Sequence, residues 1–350
     1  MDTANRKMKA SQILITIAAF VIVVAGMSQA KVILVPFLLA AFIAIIVASP
    51  LFWLQRKGLP TWVALIIVIL GVLIIGLLIG GLVGSSVKDF SRDLPVYETK
   101  LRQQTTAVMG WLDNLGIDIS DQAITGAFDP GSAMKFVATL LNGLGNVLAN
   151  GFLILMTVIF ILLEASSFPV KLRKISGGSE SSLEHFDSFI ENVKQYMAIK
   201  TLISLATGIL IAIALALIGV DYPLLWGLLA FAFNYIPNIG SIIAAVPAVL
   251  LAIIQLGLIK AVVAAACYVV LNLLMGNIVE PRFMGRGLGL STLVVFLSLL
   301  FWGWILGPVG MLLSVPLTIT AKMALDSRDD TRWLAVLLGQ DISLNPKSGG

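Results

Sequence analysis

The chain has 350 residues, of which 59% are hydrophobic and 12% are charged, and its mean hydropathy is +1.01. This composition is typical of a multispanning membrane protein and excludes an ordinary soluble enzyme. One cysteine and one histidine cannot build a disulfide framework or a histidine–cysteine metal cluster within one chain, and the basic residues behind the net charge of +4 flank apolar segments, as membrane orientation requires. We therefore predict no metal, no cofactor and no nucleic acid partner.

Six apolar segments are long enough to cross a hydrocarbon core of about 30 Å, which takes about 20 helical residues. Two further apolar stretches, 223–255 and 289–324, each contain a central interruption, at Pro237 to Gly240 and at Pro308. The shorter arm of the first stretch reaches only about 21 Å. We therefore predict an all-α polytopic protein with two re-entrant or broken-helix hairpins and with full spans at about 11–29, 32–54, 61–87, 137–164, 201–219 and 260–280.

Most lysines and arginines fall on one side of these spans, which predicts that both termini are cytoplasmic. In this topology a helix-plus-hairpin unit occurs twice in opposite orientations, as in transporters built from inverted repeats. The predicted regions are N-terminal membrane helices (1–87), a polar helical periplasmic segment (88–136), the fourth span with a cytoplasmic loop (137–200), a transport core (201–325) and a cytoplasmic tail (326–350).

The polar segment 88–136 has apolar residues at three-four spacing, beginning with Leu94, Tyr97 and Leu101, which predicts a helix with one apolar seam. That seam needs a partner, either elsewhere in the same chain or in another subunit. Asp129 and Pro130 have the residue types of an N-cap and a first helical position, so a second helix is expected to run from there into the fourth span.

The interruption of the first hairpin supplies candidate substrate-binding side chains, namely Asn234, Tyr235, Asn238 and Ser241. Broken helices within a membrane must be buried in protein or line a cavity, and transporters place binding sites there. Amide and hydroxyl groups suit a small polar ligand without the cost of a buried charge. The alternative is a kinked helix in which the asparagines cap their own freed carbonyls.

A second polar constellation surrounds the end of the segment 260–280. Asn272 and Asn277 interrupt an apolar helix and complete the predicted binding set. Glu280 and Arg282 flank Pro281, where they can neutralise each other at the membrane boundary. The alternative is that Glu280 carries a proton or a cation, with Arg282 a further candidate for ion coupling or gating.

Charged and flexible positions elsewhere complete the predicted site. Glu164 and Lys200 stand at the ends of two spans, where we expect interfacial anchors, with Glu164 a further candidate for ion coupling or gating. The residues predicted to act as hinges are Pro237, Gly240, Gly285, Gly287, Gly289 and Pro308. Because the chain contains no GxxxxGK[ST], GxSxG or HExxH motif, we predict that it is not an enzyme.

Long stretches of the chain resemble the autoinducer-2 exporter family. The resemblance is strongest in LLWGLLAFAFNYIPNIGS, GNIVEPRFMGRGLGLSTLVVFLSLLFWGW and LGPVGMLLSVPLTI, and it also includes VPFLLAAFIA near Pro36. It implies a bacterial inner-membrane protein that exports the quorum-sensing signal autoinducer-2 and so modulates biofilm formation and motility. It further implies a homo-oligomer, a pentamer, that works by elevator-like movement. Other members resemble sodium or lithium/proton antiporters.

The resulting hypothesis is facilitated or secondary export of autoinducer-2, or of another small polar solute, through a site between the two hairpins and the 260–280 helix. A cavity of amides and hydroxyls suits a small, nearly neutral solute. One alternative is a sodium (lithium)/proton antiporter that titrates Glu280 or Glu164. The other is a non-transporting membrane scaffold that signals through the 88–136 segment.

Overall fold

The computed structural model describes residues 2–114, 149–165, 180–237, 239–284, 290–326 and 331–339, together with 137–139, 141, 143 and 145. Within these ranges every regular element is helical. One segment, Leu274–Val279, is π-helical. The α-helices are α1 Asp2–Gln29, α2 Lys31–Arg56, α3 Thr61–Asn114, α4 Gly151–Ala165, α5 Glu180–Ile218, α6 Pro223–Phe233, α7 Gly240–Leu256, α8 Leu258–Leu273, α9 Glu280–Met284, α10 Thr292–Leu306, α11 Pro308–Asp326 and α12 Arg332–Leu337.

The helices confirm an all-α polytopic membrane protein. Five of those described are long and apolar enough to cross a membrane, and apolar side chains cover their outer surfaces, with Leu217 83% and Ile259 82% exposed. Such an exterior would aggregate in water, whereas lipid tails solvate it. The five segments are Lys31–Arg56, Thr61–Tyr97, Val193–Ile218, Leu258–Phe283 and Pro308–Asp326.

Helix α3 differs from its predicted end at 87, because it continues without interruption to Asn114 and includes Pro95. Residues 88–94 contain no glycine or proline that would end a helix near position 87. The predicted seam packs on its own chain at its first positions, where Tyr97 is buried and Leu94 is partly buried against the same core. Asp129 and Pro130 lie outside the described residues.

Residues 44–285 form one compact unit, whose core lies between α3, α5, α6, α7 and α8. Trp226 is fully buried at its centre, and its indole Nε1 donates to the carbonyl of Asp221 at 2.8 Å. The ring of Phe90 lies 6.3 Å from that of Trp226 and 6.2 Å from that of Tyr222, both in edge-on arrangements. These contacts attach the middle of α3 to the start of the first hairpin.

The first hairpin consists of α6 and α7, joined by the turn around Pro237. Helix α6 has 11 residues and is about 16 Å long, too short to cross a membrane. It packs closely on α5, because a Cβ atom on Gly208 would lie 2.6 Å from the carbonyl oxygen of Gly227. A Cβ atom on Gly240 would overlap the carbonyl of Phe233, so the turn requires glycine at that position.

Residues 1–43 and 286–350 form the other compact unit, which contains the second hairpin, α10 and α11. Gly307 joins the two helices with a φ of 72°, and Pro308 begins α11 at the position where proline is best tolerated. A Cβ atom on Gly310 would overlap the carbonyl of Trp302, whose indole donates to Thr318 at 3.0 Å. Helix α11 is long enough to span, so a re-entrant path for this hairpin stays a prediction.

The two hairpins use the same packing device, although they belong to different units. In each, a glycine at the start of the second arm lies against a carbonyl near the end of the first arm. This likeness agrees with the predicted occurrence of a helix-plus-hairpin unit twice in the chain. The opposite orientation of the two hairpins and their meeting at mid-membrane stay predictions, as do the predicted region boundaries.

Candidate functional site

A small polar cavity lies at the turn of the first hairpin, within the 44–285 unit. Its volume is about 120 Å³, which corresponds to about four water molecules. The predicted residues among its walls are Asn234, Pro237, Ser241, Asn272, Asn277 and Glu280, and the others are Lys200, Ile236 and Gly276. The fold therefore brings together polar groups from the first hairpin and from the end of the 260–280 helix, while a contribution of the second hairpin stays a prediction.

The cavity contains an ion pair that the sequence did not predict. Lys200 Nζ donates to Glu280 Oε1 at 2.7 Å and to Oε2 at 2.8 Å. The lysine side chain is 6% exposed and the carboxylate side chain is 19% exposed. The predicted pairing of Glu280 with Arg282 is wrong, because the carboxylate turns towards α5 and Arg282 is exposed. Lys200 is a buried partner of this carboxylate rather than the predicted interfacial anchor, and the pairing is needed because a buried ammonium group without a partner would be costly.

Asn234 is held by a neighbouring helix. Its Nδ2 donates to Ser204 Oγ on α5 at 2.9 Å. The amide nitrogen therefore bonds to α5 and does not cap a carbonyl of its own broken helix, which was the alternative. Asn238, the other asparagine of the turn, lies outside the described residues.

Tyr235 is buried next to the cavity but is not among its lining residues. Its hydroxyl donates to Thr201 Oγ1 at 2.7 Å, and that hydroxyl in turn donates to the Met197 carbonyl at 2.6 Å. This chain of hydrogen bonds ties the turn of the first hairpin to α5. The structure therefore gives Tyr235 a role in support of the cavity wall.

The π-helical segment forms the opposite wall. It contains Gly276 and Asn277 and begins two residues after Asn272, which lies in the last turn of α8. An extra residue in a helical turn changes the direction in which neighbouring side chains point, and such turns recur at functional sites. Sequence periodicity could not predict this turn, because its residues fit an ordinary α-helix equally well.

Buried polar residues of α5 form a stripe that sequence reasoning missed. Lys200, Ser204 and Thr207 are all buried, and their spacing of four and three residues puts them on one face of the helix. Polar side chains on one face of an otherwise apolar span indicate a surface turned towards other helices or a cavity. That periodicity was the available signal for Lys200 and Ser204.

A larger apolar groove of about 400 Å³ adjoins the polar cavity and shares Ser241 and Asn272 with it. The groove runs between α7 and α8, and Tyr268 lines it. The Tyr268 hydroxyl is buried and has no hydrogen-bond partner among the described residues. A buried hydroxyl without a partner costs about 1–3 kcal/mol, so this group lowers the stability of the fold as described.

The remaining predicted site residues lie elsewhere. Glu164 is an exposed residue near the end of α4 and does not line the cavity. Gly285, Gly287 and Gly289 lie outside the described residues. Hinge motion at Pro237, Gly240 or Pro308 stays a prediction. Among the described residues, no group of three or more histidine, cysteine, aspartate or glutamate side chains could hold a metal ion.

Comparison with known proteins gives a consistent assignment. The family model for the AI-2E family transporter matches residues 14–328. The AI-2 transport protein TqsA of Escherichia coli K12 is 41% identical over 93% of this chain and 95% of its own length. A putative transport protein of Haemophilus influenzae is 40% identical over 93% and 95% of the two chains, and the putative transport protein YhhT of Escherichia coli K12 is 37% identical over 97% of each. The chain therefore belongs to the AI-2E family of transporters.

Proposed function

We propose that this transporter-family protein exports autoinducer-2, or a closely similar small polar solute, across the bacterial inner membrane. The proposal includes a secondary or facilitated mechanism, cytoplasmic termini and a homo-oligomeric, pentameric assembly. By lowering the concentration of autoinducer-2 inside the cell, export would modulate biofilm formation and motility. The similarity to TqsA, which is named for AI-2 transport, supports the substrate. The polar cavity is the single structural observation that carries the proposal.

The chemistry of the cavity suits a small hydroxylated solute. Asn234, Ser241, Asn272 and Asn277 supply uncharged donors and acceptors that can replace hydrogen bonds to water. A volume of about 120 Å³ admits only a small molecule, and the cavity can widen only if a wall moves. The ion pair leaves no net charge in the wall, so a neutral solute does not have to compensate for one.

Flux of autoinducer-2 into proteoliposomes tests the proposal. We expect Asn234→Ala, Ser241→Ala and Asn272→Ala each to lower the flux by about two- to tenfold, the equivalent of one lost hydrogen bond. Ser85→Ala is the matched hydroxyl control, because Ser85 is exposed on α3 and bonds only carbonyls of its own helix. Normal flux in all three cavity variants, each folded and inserted, would remove the cavity from the transport path.

The antiporter alternative is favoured by a different observation, the ionisable Lys200–Glu280 pair in the cavity wall. Sodium or lithium gradients imposed on the same proteoliposomes, with a proton-sensitive dye, measure that activity directly. A dye response that Glu280→Gln abolishes, with no autoinducer-2 flux in the parent protein, would establish antiport in place of export. Autoinducer-2 flux without a cation response would exclude it.

A further inference from the structure

A second polar cavity lies where two helices reach the edge of their membrane-spanning segments. It is lined by Phe52, Gln55, Arg56 and Lys194 and has a volume of about 460 Å³. Helix α2 ends at Arg56, and the apolar part of α5 begins at Val193. The residues that line this cavity therefore lie where both helices leave the hydrocarbon core of the membrane. None of these residues lines the cavity proposed for transport.

The charges of this second cavity select an anion. Lys194 has only a long contact with a carboxylate, 3.8 Å to Glu191, whose side chain is 75% exposed. Such a pair gives little stabilisation in water and leaves the ammonium group available. Arg56 is exposed and forms no ion pair within the ranges that the structure describes. Two cations thus border one cavity, and no carboxylate is among its lining residues in the described part of the chain.

A buried amide adds a directional requirement. Gln55 Nε2 is buried and has no hydrogen-bond partner in the described part of the chain. This nitrogen is a donor only, so a ligand that satisfies it must present an acceptor atom. Phosphate oxygens meet this requirement and the charge requirement at once, because they accept hydrogen bonds and pair with both arginine and lysine.

The surroundings of the cavity match the interface of a bilayer. The Lys194 Nζ atom lies 5.1 Å from the centre of the Phe52 ring, and Lys57 Nζ lies 4.0 Å from that of Trp53. Trp53 and Trp62 are 54% and 66% exposed at the ends of α2 and α3. Exposed tryptophans at helix ends mark the headgroup level of a membrane. An anion bound in this cavity would therefore lie at the level of the lipid headgroups, which makes a lipid headgroup the expected ligand.

We propose that this cavity binds the headgroup of an anionic membrane phospholipid. Arg56 and Lys194 pair with the phosphate, and the Gln55 side chain rotates on binding so that its Nε2 donates a hydrogen bond to one phosphate oxygen. The cavity has room for about fifteen water molecules, more than a phosphate ion needs, so the glycerol part of the lipid enters with the phosphate. The acyl chains continue along the exposed apolar surfaces of α2 and α5.

Native mass spectrometry of the full-length protein in detergent measures this binding. Phosphatidylglycerol and phosphatidylcholine with identical acyl chains are titrated onto the protein and its variants. We expect phosphatidylglycerol to bind at least fivefold more tightly than phosphatidylcholine. Lys194→Ala and Arg56→Ala should each weaken phosphatidylglycerol binding about tenfold, whereas Lys194→Arg should keep most of it because the charge remains. Equal binding of the two lipids would overturn the proposal.

Lys57→Ala is the matched control, since it removes the same charge one residue after Arg56 but does not line the cavity. We expect less than a twofold effect from it. An equal loss in Lys57→Ala and Lys194→Ala would show general attraction to a basic surface and would contradict a specific site.

Two further measurements complete the test. One distinguishes a lipid from a soluble anion as the ligand, and the other distinguishes a loss of binding from a loss of folding. Glycerol phosphate at the same concentration as the lipid should displace little phosphatidylglycerol; complete displacement would indicate a soluble ligand instead. Gln55→Leu removes the unpaired donor and should weaken lipid binding several-fold without a lower melting temperature. Unchanged lipid binding in Gln55→Leu would contradict the assigned hydrogen bond.

Discussion

Lys200 and Glu280, which are 80 residues apart in the sequence, form a two-point hydrogen-bonded ion pair in the wall of the polar cavity. The pair joins α5 to the end of the helix that carries Asn272 and Asn277. It therefore fixes one side of the cavity relative to the other. Each charge can be accommodated in the cavity wall because the opposite charge neutralises it.

Removal of either partner should destabilise the fold. We expect Lys200→Met and Glu280→Gln each to lower the free energy of unfolding in detergent by about 3 kcal/mol, since each leaves a buried group without its partner. The double variant should lie within about 1 kcal/mol of the parent, which gives a large coupling energy in a double-mutant cycle. The exposed pair of Arg332 and Asp326, 3.6 Å apart, is the control, and Asp326→Asn should change stability by less than about 0.5 kcal/mol. Additive single effects would contradict the coupling.

The same double variant separates the two transport hypotheses. Export of a neutral solute does not need a titrating group, so a folded Lys200→Met/Glu280→Gln protein should keep autoinducer-2 flux within about threefold of the parent, less than 1 kcal/mol of barrier. A proton-coupled mechanism through Glu280 should lose all gradient-driven transport in that protein. Flux in proteoliposomes, corrected for the inserted amount, measures the difference.

The turn of the first hairpin should not tolerate a side chain at position 240. Gly240→Ala places a methyl group against the Phe233 carbonyl, so we expect a loss of more than about 2 kcal/mol or failure to fold. Gly80→Ala is the matched control within α3, because nothing lies within 4 Å of a Cβ atom at that position. That variant should be neutral or more stable by up to about 1 kcal/mol. Melting temperature in detergent measures both, and a stable Gly240→Ala protein would show that the turn is less tightly packed.

Two buried tyrosine hydroxyls should respond in opposite ways to their removal. Tyr235→Phe loses the hydrogen bond to Thr201 and should cost about 1 kcal/mol. Tyr268→Phe removes a hydroxyl without a described partner and should leave stability unchanged or raise it by about 1 kcal/mol. Denaturant titration compares the two. If Tyr268→Phe is the more damaging variant, its hydroxyl has a bound partner such as water.

The attachment of α3 to the first hairpin should depend on one aromatic residue. Phe90 is 2% exposed and contacts the rings of Tyr97, Tyr222 and Trp226, so Phe90→Ala should cost about 3–4 kcal/mol. Val96→Ala, at a 54% exposed position of the same helix, should cost less than about 1 kcal/mol. The rate of limited proteolysis at sites C-terminal to residue 97 gives an independent measurement, because this part of α3 is cut faster when it is detached from the core. Equal effects of the two substitutions would place the seam contact in another subunit.

Residue types and their order along the chain were enough to predict the class of protein, most of its membrane helices and the candidate residues of the cavity. Hydropathy and the Pro/Gly interruptions carry that information, because hydrocarbon requires long apolar helices and tolerates breaks only at special places. Asn234, Ser241, Asn272 and Asn277 could be selected in the same way, since polar groups in apolar helices are costly without a partner. Four of the six segments predicted as spans are helical throughout their described part. The segment 137–164 has a turn at position 150, the helix of the segment 201–219 ends at Ile218, and α3 extends beyond its predicted end.

The tertiary structure alone decided which of these residues meet. Glu280 pairs with Lys200 rather than with its neighbour Arg282, because a contact between α5 and the 258–283 helix brings together side chains that are 80 residues apart. The π-helical turn, the buried hydroxyl of Tyr268 and the basic cavity between the end of α2 and Lys194 of α5 likewise depend on packing between segments. Local patterns record which residues are buried, whereas the choice of partner follows from helix packing, which no local pattern encodes.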